Sequence, residues 1–371
     1  ESSSLGSRTA TMQAARFYGP GDIRVEEVDR PKVENDKVIV AVEWCGICGS
    51  DLSEYSHGPV AIPTKPHPLS GEQMPVIMGH EFSGRILEAP PGSKFSSGQP
   101  VMVDPRLNCG KCLQCCSGHT NGCEKWGFLG LSGGGGGFAE MVAVRPEKLH
   151  ALPNSVDLAV ATLLEPLSVA WHAAALSGLS KGNCGDAAAL VVGGGPVGAS
   201  MIYVLRAWGM KHIFVSEPSP ARREWLKDIV EAAFNPTEID ISSECRQRTK
   251  EIGVDAVFDC AGSQVALDSA IGSLKFRGSY VNVALGTPKV ALPCQMMLLR
   301  ELKVTSSLAY NDADFSEVVD AFVSGQFNGV EKMVTGRISL QEVVQKGFEH
   351  LVHQKDKHMK IAVSPKIQKE G

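Results

Sequence analysis

Short apolar segments alternate with turn residues through the first half of the chain. Residues 14–17, 23–25 and 37–42 are rich in apolar side chains, and Gly19-Pro20-Gly21 and Pro31 separate them. Apolar runs of this length, bounded by glycine and proline, are typical of strands. The pattern therefore predicts a compact β-rich domain for the first half.

The second half alternates between strand-like and helix-like segments. Apolar runs of strand length occur at residues 188–192, 212–216, 254–259 and 280–284, and residues 264–275 have the pattern of a helix. Such alternation is what a parallel, doubly wound sheet requires. The fold class predicted for the whole chain is therefore α/β.

A glycine-rich turn joins the first of these strands to the helix that follows it. Glycines in a G-x-G-x-x-G pattern let the backbone approach a pyrophosphate, whose charge lies at the N-terminus of the next helix. The turn predicts a dinucleotide-binding site formed by Gly193, Gly195, Pro196, Val197 and Gly198.

Glu217 ends the second of these strands. A carboxylate at this position accepts hydrogen bonds from the adenosine ribose of NAD and repels the 2′-phosphate of NADP. Arg222 and Arg223 follow closely, and an arginine here can accommodate that phosphate instead. We expect NAD, bound in part by Glu217 and Arg222, and NADP stays open as the alternative.

Four cysteines with metal-ligand spacing lie in the middle of the chain. They follow the pattern C-x2-C-x2-C-x7-C, with glycines between them, and are Cys109, Cys112, Cys115 and Cys123. Four converging thiolates suit tetrahedral zinc in a closed, structural site. Two disulfides, or a cysteine-rich loop without metal, are the alternatives, and Cys116 is the surplus thiol.

Composition narrows the class of protein. The chain has 371 residues, of which 43% are hydrophobic and 21% charged, and a net charge of −5. This balance argues against a nucleic-acid partner. The uncharged run at residues 187–205 approaches membrane length, but its clustered glycines disfavour a spanning helix. Eleven cysteines behind a short polar N-terminus without an export signal point to a reducing cytoplasm.

Cys48, His80 and Glu81 offer one soft and two harder ligands, a mixture typical of zinc with an open coordination position. On spacing alone this signal is weak, because a cysteine and a His-Glu pair are often purely structural.

The order of several motifs resembles the zinc-dependent medium-chain dehydrogenases, in particular their 2,3-butanediol and sorbitol dehydrogenase branch. The resemblance covers residues 12–365 and is carried by Cys45-Gly-Ile-Cys48-Gly-Ser-Asp51, Gly79-His80-Glu81, the four-cysteine lobe, Gly137-Phe-Ala-Glu140, Pro66-His-Pro-Leu-Ser-Gly-Glu72 and Glu165-Pro-Leu-Ser-Val-Ala-Trp-His172.

The resemblance implies a role for each matching position. Cys48, His80 and Glu81 would hold a catalytic zinc, Glu165 would approach it directly or through water, and Ser50 would take the alcohol proton. With the four-cysteine lobe, this makes two zinc ions per chain. Cys45 matches a position that is not a ligand.

The resemblance also implies a domain plan. Residues 1–11 would be a disordered lead-in and residues 12–166 a GroES-like catalytic domain with the zinc lobe at about 105–125. Residues 167–308 would form a Rossmann NAD-binding domain, and residues 309–371 would return to the catalytic domain, including a helix at 340–351.

Two positions depart from the family pattern. Pro90-Pro91 stand where a glycine or alanine is usual, which changes a turn. Ser53 stands where relatives commonly have the histidine that ends a proton relay. Either water or His57 takes over as the proton acceptor, or proton release slows and the enzyme favours ketone reduction or a high pH. The alternative is that Ser53 only widens the pocket for a bulkier substrate.

The function expected from the sequence is zinc-dependent hydride transfer between a secondary alcohol, a vicinal diol or polyol, and NAD. The protein would be a cytoplasmic homodimer or homotetramer, with a small-molecule alcohol or ketone as substrate and no membrane partner. A related dehydrogenase of threonine, glucose or a bulkier specialised metabolite is one alternative. A protein that binds NAD without catalysis is another, although binding alone does not require Cys48, His80, Glu81 and Glu165.

Overall fold

The computed structural model describes residues 11–32, 37–285 and 289–367, so the predicted lead-in lies almost wholly outside the described residues. The chain divides into two compact units. The first comprises Glu1–Cys115, Cys123–Leu163 and Val334–Gly371, and the second comprises Cys116–Gly122 and Leu164–Met333.

The described residues form eighteen strands and eleven α-helices. The strands are β1 (Thr11–Gly19), β2 (Asp22–Asp29), β3 (Val38–Gly46), β4 (Val76–Ile77), β5 (Glu81–Glu88), β6 (Pro100–Val103), β7 (Arg106–Leu107), β8 (Gly127–Phe128), β9 (Met141–Val144), β10 (Leu149–Ala151), β11 (Ala188–Val192), β12 (His212–Ser216), β13 (Ala232–Phe234), β14 (Val254–Asp259), β15 (Leu274–Asn282), β16 (Lys303–Ser306), β17 (Val334–Ser339) and β18 (Lys360–Ser364). The helices are α1 (Gly49–His57), α2 (Leu113–Cys116), α3 (Leu158–Ala161), α4 (Leu164–Leu176), α5 (Pro196–Ala207), α6 (Pro220–Leu226), α7 (Ile241–Arg248), α8 (Gln264–Ala270), α9 (Cys294–Arg300), α10 (Asp312–Val323) and α11 (Glu349–His353).

The first unit is β-rich, as predicted. Its largest sheet has the strand order β10-β6-β5-β3-β18-β17, with β9 also paired to β3, and most neighbours are antiparallel. At one end of this sheet, Gly46 of β3 lies opposite Glu81 of β5 on one side and opposite Ala362 of β18 on the other. This register brings three distant chain segments to one place.

The second unit contains a six-stranded parallel sheet in the order β13-β12-β11-β14-β15-β16. Relabelled by position in the chain, this is the 3-2-1-4-5-6 order of dinucleotide-binding folds. The central strand β11 is buried along its whole length, as expected for a strand covered on both faces. The predicted α/β class, with a β-rich part and a parallel-sheet part, is confirmed.

The structure places the return to the first unit at Val334 rather than at the predicted residue 309. The intervening helix α10 is held in the second unit by α4, because the indole of Trp171 donates to Glu317 at 3.2 Å and His172 lies 2.7 Å from Asp314. The first boundary falls between Leu163 and Leu164, three residues before the predicted one, and no local pattern marks either position.

Two predicted helices also differ in detail. Residues 340–351 form a 3-10 turn at Leu340–Glu342, a π-helical turn at Val343–Phe348 and then α11, instead of one regular helix. The helix predicted for residues 264–275 ends as α8 at Ala270, and β15 begins at Leu274, inside the predicted helix.

One helical stretch among the described residues, Leu158–Leu176, is long and apolar enough to cross a membrane by length and composition alone. Within the protein 83% of it is buried, as is usual for a core helix. The uncharged run at residues 187–205 forms β11 and most of α5, so the prediction that it is no spanning helix is confirmed.

Candidate functional site

Cys48, His80 and Glu81 come together in the first unit. One ligand atom from each lies within 4.8 Å of the other two. Glu81 is the first residue of β5 and is fully buried, His80 precedes it and is 4% exposed, and Cys48 immediately precedes α1. The sheet register that sets β5 beside β3 therefore gathers the three residues that the sequence predicted as a ligand set.

The N-terminus of α1 holds Cys48 in place. The carboxylate of Asp51, three residues into the turn, accepts the backbone N–H of Cys48 at 2.9 Å through Oδ2. In return, the side chain of Cys48 faces the backbone N–H of Asp51, as in a capping box. The two contacts fix where the chain enters the helix. A cysteine binds a metal in its thiolate form.

His80 lies between a carboxylate and a hydroxyl. Its Nδ1 is 3.3 Å from Asp51 Oδ1, and its Nε2 is 3.2 Å from the hydroxyl of Ser50. Burial works against a charged imidazole, but the charges of Asp51 and Cys48 outweigh it and raise the pKa of His80. A carboxylate behind the ring nitrogen is how proteins commonly orient a metal-binding histidine.

Glu81 forms a buried ion pair with Lys360. The ammonium Nζ donates to both carboxylate oxygens, at 2.8 and 2.6 Å, and to the carbonyl of Ile47 at 3.2 Å. Lys360 and Asp51 are the two residues of this site that the sequence analysis did not single out. Asp51 could have been found from its position three residues after Cys48, whereas nothing in the sequence links Lys360 to Glu81, which is 279 residues away.

The donor set fits zinc with an open position. A thiolate, an imidazole nitrogen and a carboxylate oxygen are all zinc ligands, and three protein ligands leave the fourth position of a tetrahedral site for water or substrate. The remaining predicted ligand, Glu165, is buried in the first turn of α4 in the second unit and is not one of the three gathered residues.

The four predicted lobe cysteines also converge. Their thiols lie within 4.8 Å of one another, close to the separation of about 4 Å that Zn–S bonds of about 2.3 Å would give in a tetrahedron. Backbone N–H groups point at the sulfurs: Cys112 donates to Cys109 at 3.3 Å and Lys125 donates to Cys123 at 3.4 Å.

These contacts prepare the lobe for a metal. Hydrogen bonds from the backbone of Lys111 and Cys112 lower the pKa of Cys109 to about 6, whereas burial raises the pKa of Cys115 to about 12. A metal ion would relieve the repulsion that follows when all four thiols ionise. All eleven cysteines are unbridged, and the surplus Cys116 is exposed.

In the second unit, the predicted dinucleotide turn joins β11 to α5. Gly193 has a φ of 93°, which other residues rarely adopt, and a Cβ atom on Gly198 would lie 1.9 Å from the carbonyl oxygen of Gly193. Pro196 occupies the first turn of α5, where its missing N–H costs nothing. Without side chains at these glycines, a phosphate group can come close to the backbone at the N-terminus of the twelve-residue helix α5.

Glu217 is tied to this turn. Its carboxylate accepts the N–H of Gly194 at 2.6 Å and the N–H of Ser219 at 2.8 Å, and it is 3% exposed. The guanidinium of Arg222 lies 3.8 Å from the same carboxylate, while Arg223 donates to backbone carbonyls, including that of Glu217 at 2.8 Å. Glu217 thus shapes the loop and lines it with negative charge.

Ser53 lies on the solvent side of α1. Its hydroxyl donates to the carbonyl of Gly49 at 3.1 Å, and its side chain is exposed. His57, in the last turn of the same helix, is exposed as well.

Two family models match the chain. The alcohol dehydrogenase GroES-like domain matches residues 34–154, and the zinc-binding dehydrogenase domain matches residues 196–324.

Individual proteins match nearly the whole length. The chain is 38% identical to (R,R)-butanediol dehydrogenase of Bacillus subtilis, covering 95% of this chain and 100% of the relative. It is 37% identical to (R,R)-butanediol dehydrogenase of Saccharomyces cerevisiae, with 95% and 98% covered. The crystal structure of 2R,3R-butanediol dehydrogenase from Bacillus subtilis superimposes with a TM-score of 0.87 at 37% identity, covering 95% of this chain and 99% of that one.

Proposed function

Because the chain belongs to the zinc-dependent alcohol dehydrogenase family, we propose that it transfers hydride between a small vicinal diol and NAD. As a member of this family it is an oxidoreductase of CH–OH donors that uses zinc and a nicotinamide cofactor. The single observation that carries the proposal is the gathering of Cys48, His80 and Glu81, with the hydroxyl of Ser50 at the ring nitrogen of His80.

In this proposal Cys48, His80 and Glu81 hold the catalytic zinc, and the four lobe cysteines hold the structural zinc. When bound, the catalytic metal supplies a Lewis acid that lowers the pKa of an alcohol, and the nicotinamide supplies the hydride acceptor.

Ser50 is the residue placed to move a proton. Its Oγ lies 3.2 Å from Nε2 of His80, the nitrogen opposite the one that faces Asp51. A hydroxyl both accepts and donates, so Ser50 can take the alcohol proton at Oγ and pass its own proton outward. Asp51 keeps the imidazole oriented while this happens.

Aromatic side chains beside His80 favour a small substrate with apolar ends. The ring of Phe128 meets His80 edge-on at 6.0 Å, and Trp126 meets Phe128 edge-on at 5.8 Å. Trp126 is 45% exposed, so it offers an apolar surface near the proposed metal site. The names of the relatives at 36–38% identity, which are (R,R)-butanediol dehydrogenases, support the same substrate class. Sorbitol, the substrate named for a relative at 29% identity, is the second candidate.

NAD is the proposed form of the cofactor. The buried carboxylate of Glu217 stands beside the glycine turn, where it would repel a 2′-phosphate. Arg222 reduces this repulsion without removing it. Its guanidinium lies 3.8 Å from the carboxylate of Glu217, so it would have to serve both this carboxylate and a 2′-phosphate.

We infer that the protein works as a homo-oligomer in the cytoplasm. Among the described residues β16 is an edge strand of the parallel sheet, and such an edge can pair with that of a second copy. Leu298 and Leu299 of α9, 77% and 71% exposed, add apolar surface that a second copy could cover. Eleven unbridged thiols suit a reducing compartment. Sedimentation measures the first inference, and fractionation of the cells that make the protein measures the second.

The test is a substrate screen with the zinc-loaded protein. NADH formation is followed with the stereoisomers of butane-2,3-diol, with sorbitol, threonine and glucose, and with butan-2-ol. The proposal predicts the highest kcat/KM for a butane-2,3-diol isomer, and loss of all turnover in Cys48→Ser. Best turnover of threonine or glucose would reassign the substrate, and a zinc-loaded protein without any turnover would favour the non-catalytic alternative.

A further inference from the structure

Lys360 connects the chain segments that carry the proposed metal ligands. Its ammonium contacts the carbonyl of Ile47, the residue before Cys48, and both oxygens of Glu81, the residue after His80. Lys360 and Glu81 have side chains 1% and 0% exposed, so water does not screen the pair. The contact is therefore strong, and it acts on a proposed ligand directly.

The sheet is built to allow this contact. Lys360 and Glu81 lie on β18 and β5, which are separated by β3, so the two side chains must meet across that strand. Gly46 is the β3 residue between them. A Cβ atom at Gly46 would lie 2.3 Å from Glu81 Oε2 and 3.2 Å from Cδ of Lys360. The absence of a side chain at this position makes room for the ion pair.

The same carboxylate therefore has two possible cationic partners. Both oxygens of Glu81 accept from Lys360, yet each carboxylate oxygen has two lone pairs and can serve a metal at the same time. A ligand atom of Glu81 is within 4.8 Å of those of Cys48 and His80, so a metal held there would lie close to the ammonium. Two cations that share one carboxylate repel each other.

We propose that Lys360 is a positioning residue that weakens Glu81 as a metal ligand. Its ammonium holds the carboxylate of Glu81, which a metal would then have to share. The inference rests on the proposed role of Glu81 in the catalytic zinc site. The direction of the effect on metal retention is definite. The charge of Lys360 should oppose retention, whereas a purely structural ion pair would support the metal site or leave it unchanged. Removing the charge should release the carboxylate to the metal and slow metal loss.

The experiment measures zinc release from the fully loaded protein to a chromogenic chelator, 4-(2-pyridylazo)resorcinol. The two proposed sites should give two phases, and the phase that is missing in Cys48→Ser identifies the catalytic site. Lys360→Met should slow that phase about 10- to 100-fold, the size of change in metal affinity that replacing a partner of a ligand commonly causes, here in the opposite direction. Lys360→Gln, which keeps a donor but no charge, should also slow it. Lys360→Arg should remain close to the unmodified protein.

A second readout is the visible spectrum of cobalt-substituted protein, which reports on the ligands directly. It should change in Lys360→Met and Lys360→Gln. Lys366→Met is the matched control, because it removes an exposed lysine that binds Glu43 at 2.6 Å near the same end of the chain. It should change neither the release rate nor the spectrum.

Two results would overturn the inference. One is a release rate and cobalt spectrum that stay unchanged in Lys360→Met and Lys360→Gln. The other is faster release in both, which would make Lys360 a supporting residue. Either result leaves the proposed function standing as long as the unmodified protein binds two zinc ions and oxidises its diol. A protein that lacks the Cys48-dependent phase would instead refute the proposed ligand set.

Discussion

Asp51 bridges two of the proposed metal ligands: Oδ1 lies 3.3 Å from Nδ1 of His80, while Oδ2 accepts the backbone N–H of Cys48 at 2.9 Å. Asp51 is fully buried, so both contacts are shielded from water. One carboxylate thus fixes the ring of His80 and the backbone from which the thiol of Cys48 extends.

Replacing Asp51 tests this bridge. Asp51→Asn removes the negative charge behind His80 at almost the same volume, and we expect metal affinity at the catalytic site to fall about 10- to 100-fold. Zinc content after dialysis against a graded zinc buffer measures the effect. Asp240→Asn is the control, since Asp240 also caps a helix, α7, by accepting the N–H of Ser243 at 2.9 Å, but belongs to the second unit. Equal zinc retention in both variants would show that Asp51 only caps its helix.

The two cysteine sites should fail in different ways. Cys112→Ser opens the lobe, and loss of the structural metal removes several kcal/mol of folding free energy. We expect Tm to fall by on the order of 5 °C or more. Cys48→Ser should abolish turnover while Tm stays near that of the unmodified protein. Cys116→Ser, in the exposed surplus thiol, should change neither. Elemental analysis should give two zinc ions in the unmodified chain and one each in Cys112→Ser and Cys48→Ser. A single zinc ion in the unmodified chain would refute one of the two proposed sites.

Cofactor preference should depend on Glu217 and Arg222 in opposite directions. Glu217→Ala removes the charge that repels a 2′-phosphate and should narrow the NAD preference about 10- to 100-fold, the worth of one hydrogen bond to a charged group. It should also lower stability, because the N–H groups of Gly194 and Ser219 lose their acceptor.

Arg222→Ala should widen the preference for NAD, because it removes the cation nearest that carboxylate. The ratio of kcat/KM for NAD and NADP measures both variants. Equal values for the two cofactors in the unmodified protein would show that the arginine already cancels the charge of Glu217.

Ser53 offers a test of proton release. Its hydroxyl can pass a proton but cannot hold one as a base, whereas a histidine with a pKa of about 6.5 can accept one near neutrality. We expect water to be the acceptor in this protein, because Ser53 and His57 are both exposed. Ser53→His should then raise alcohol oxidation near pH ~7 and change it little near pH ~9, where hydroxide and water suffice. An unchanged pH profile with an altered substrate range would mean that Ser53 shapes the pocket instead.

Local pattern was enough to predict most of the fold. The glycine turn at 193–198 and the apolar strands around it specify the parallel sheet, because strand, turn and helix follow one another within one βα unit. The four lobe cysteines are close in sequence, so their spacing alone predicts that they converge. Cys48, His80 and Glu81 needed the family resemblance, since their spacing is not distinctive.

Long-range pairing accounts for what the sequence did not predict. Lys360 reaches Glu81 through the order of β5, β3 and β18, and strand order across distant segments has no local signature. The late return at Val334 has the same cause, since contacts from Trp171 and His172 keep α10 in the second unit. The π-helical turn at Val343–Phe348 lies in a stretch whose apolar spacing fits an ordinary helix equally well.

The central claim is that Cys48, His80 and Glu81 form the zinc site of a vicinal diol dehydrogenase. Its most direct test is NADH formation from butane-2,3-diol by protein carrying two zinc ions, repeated after the Cys48-dependent zinc alone has been removed by a chelator and then restored. The account predicts that turnover disappears with this zinc, returns on adding zinc, and fails to return in Cys48→Ser. Diol oxidation that persists without the Cys48-dependent zinc would contradict it.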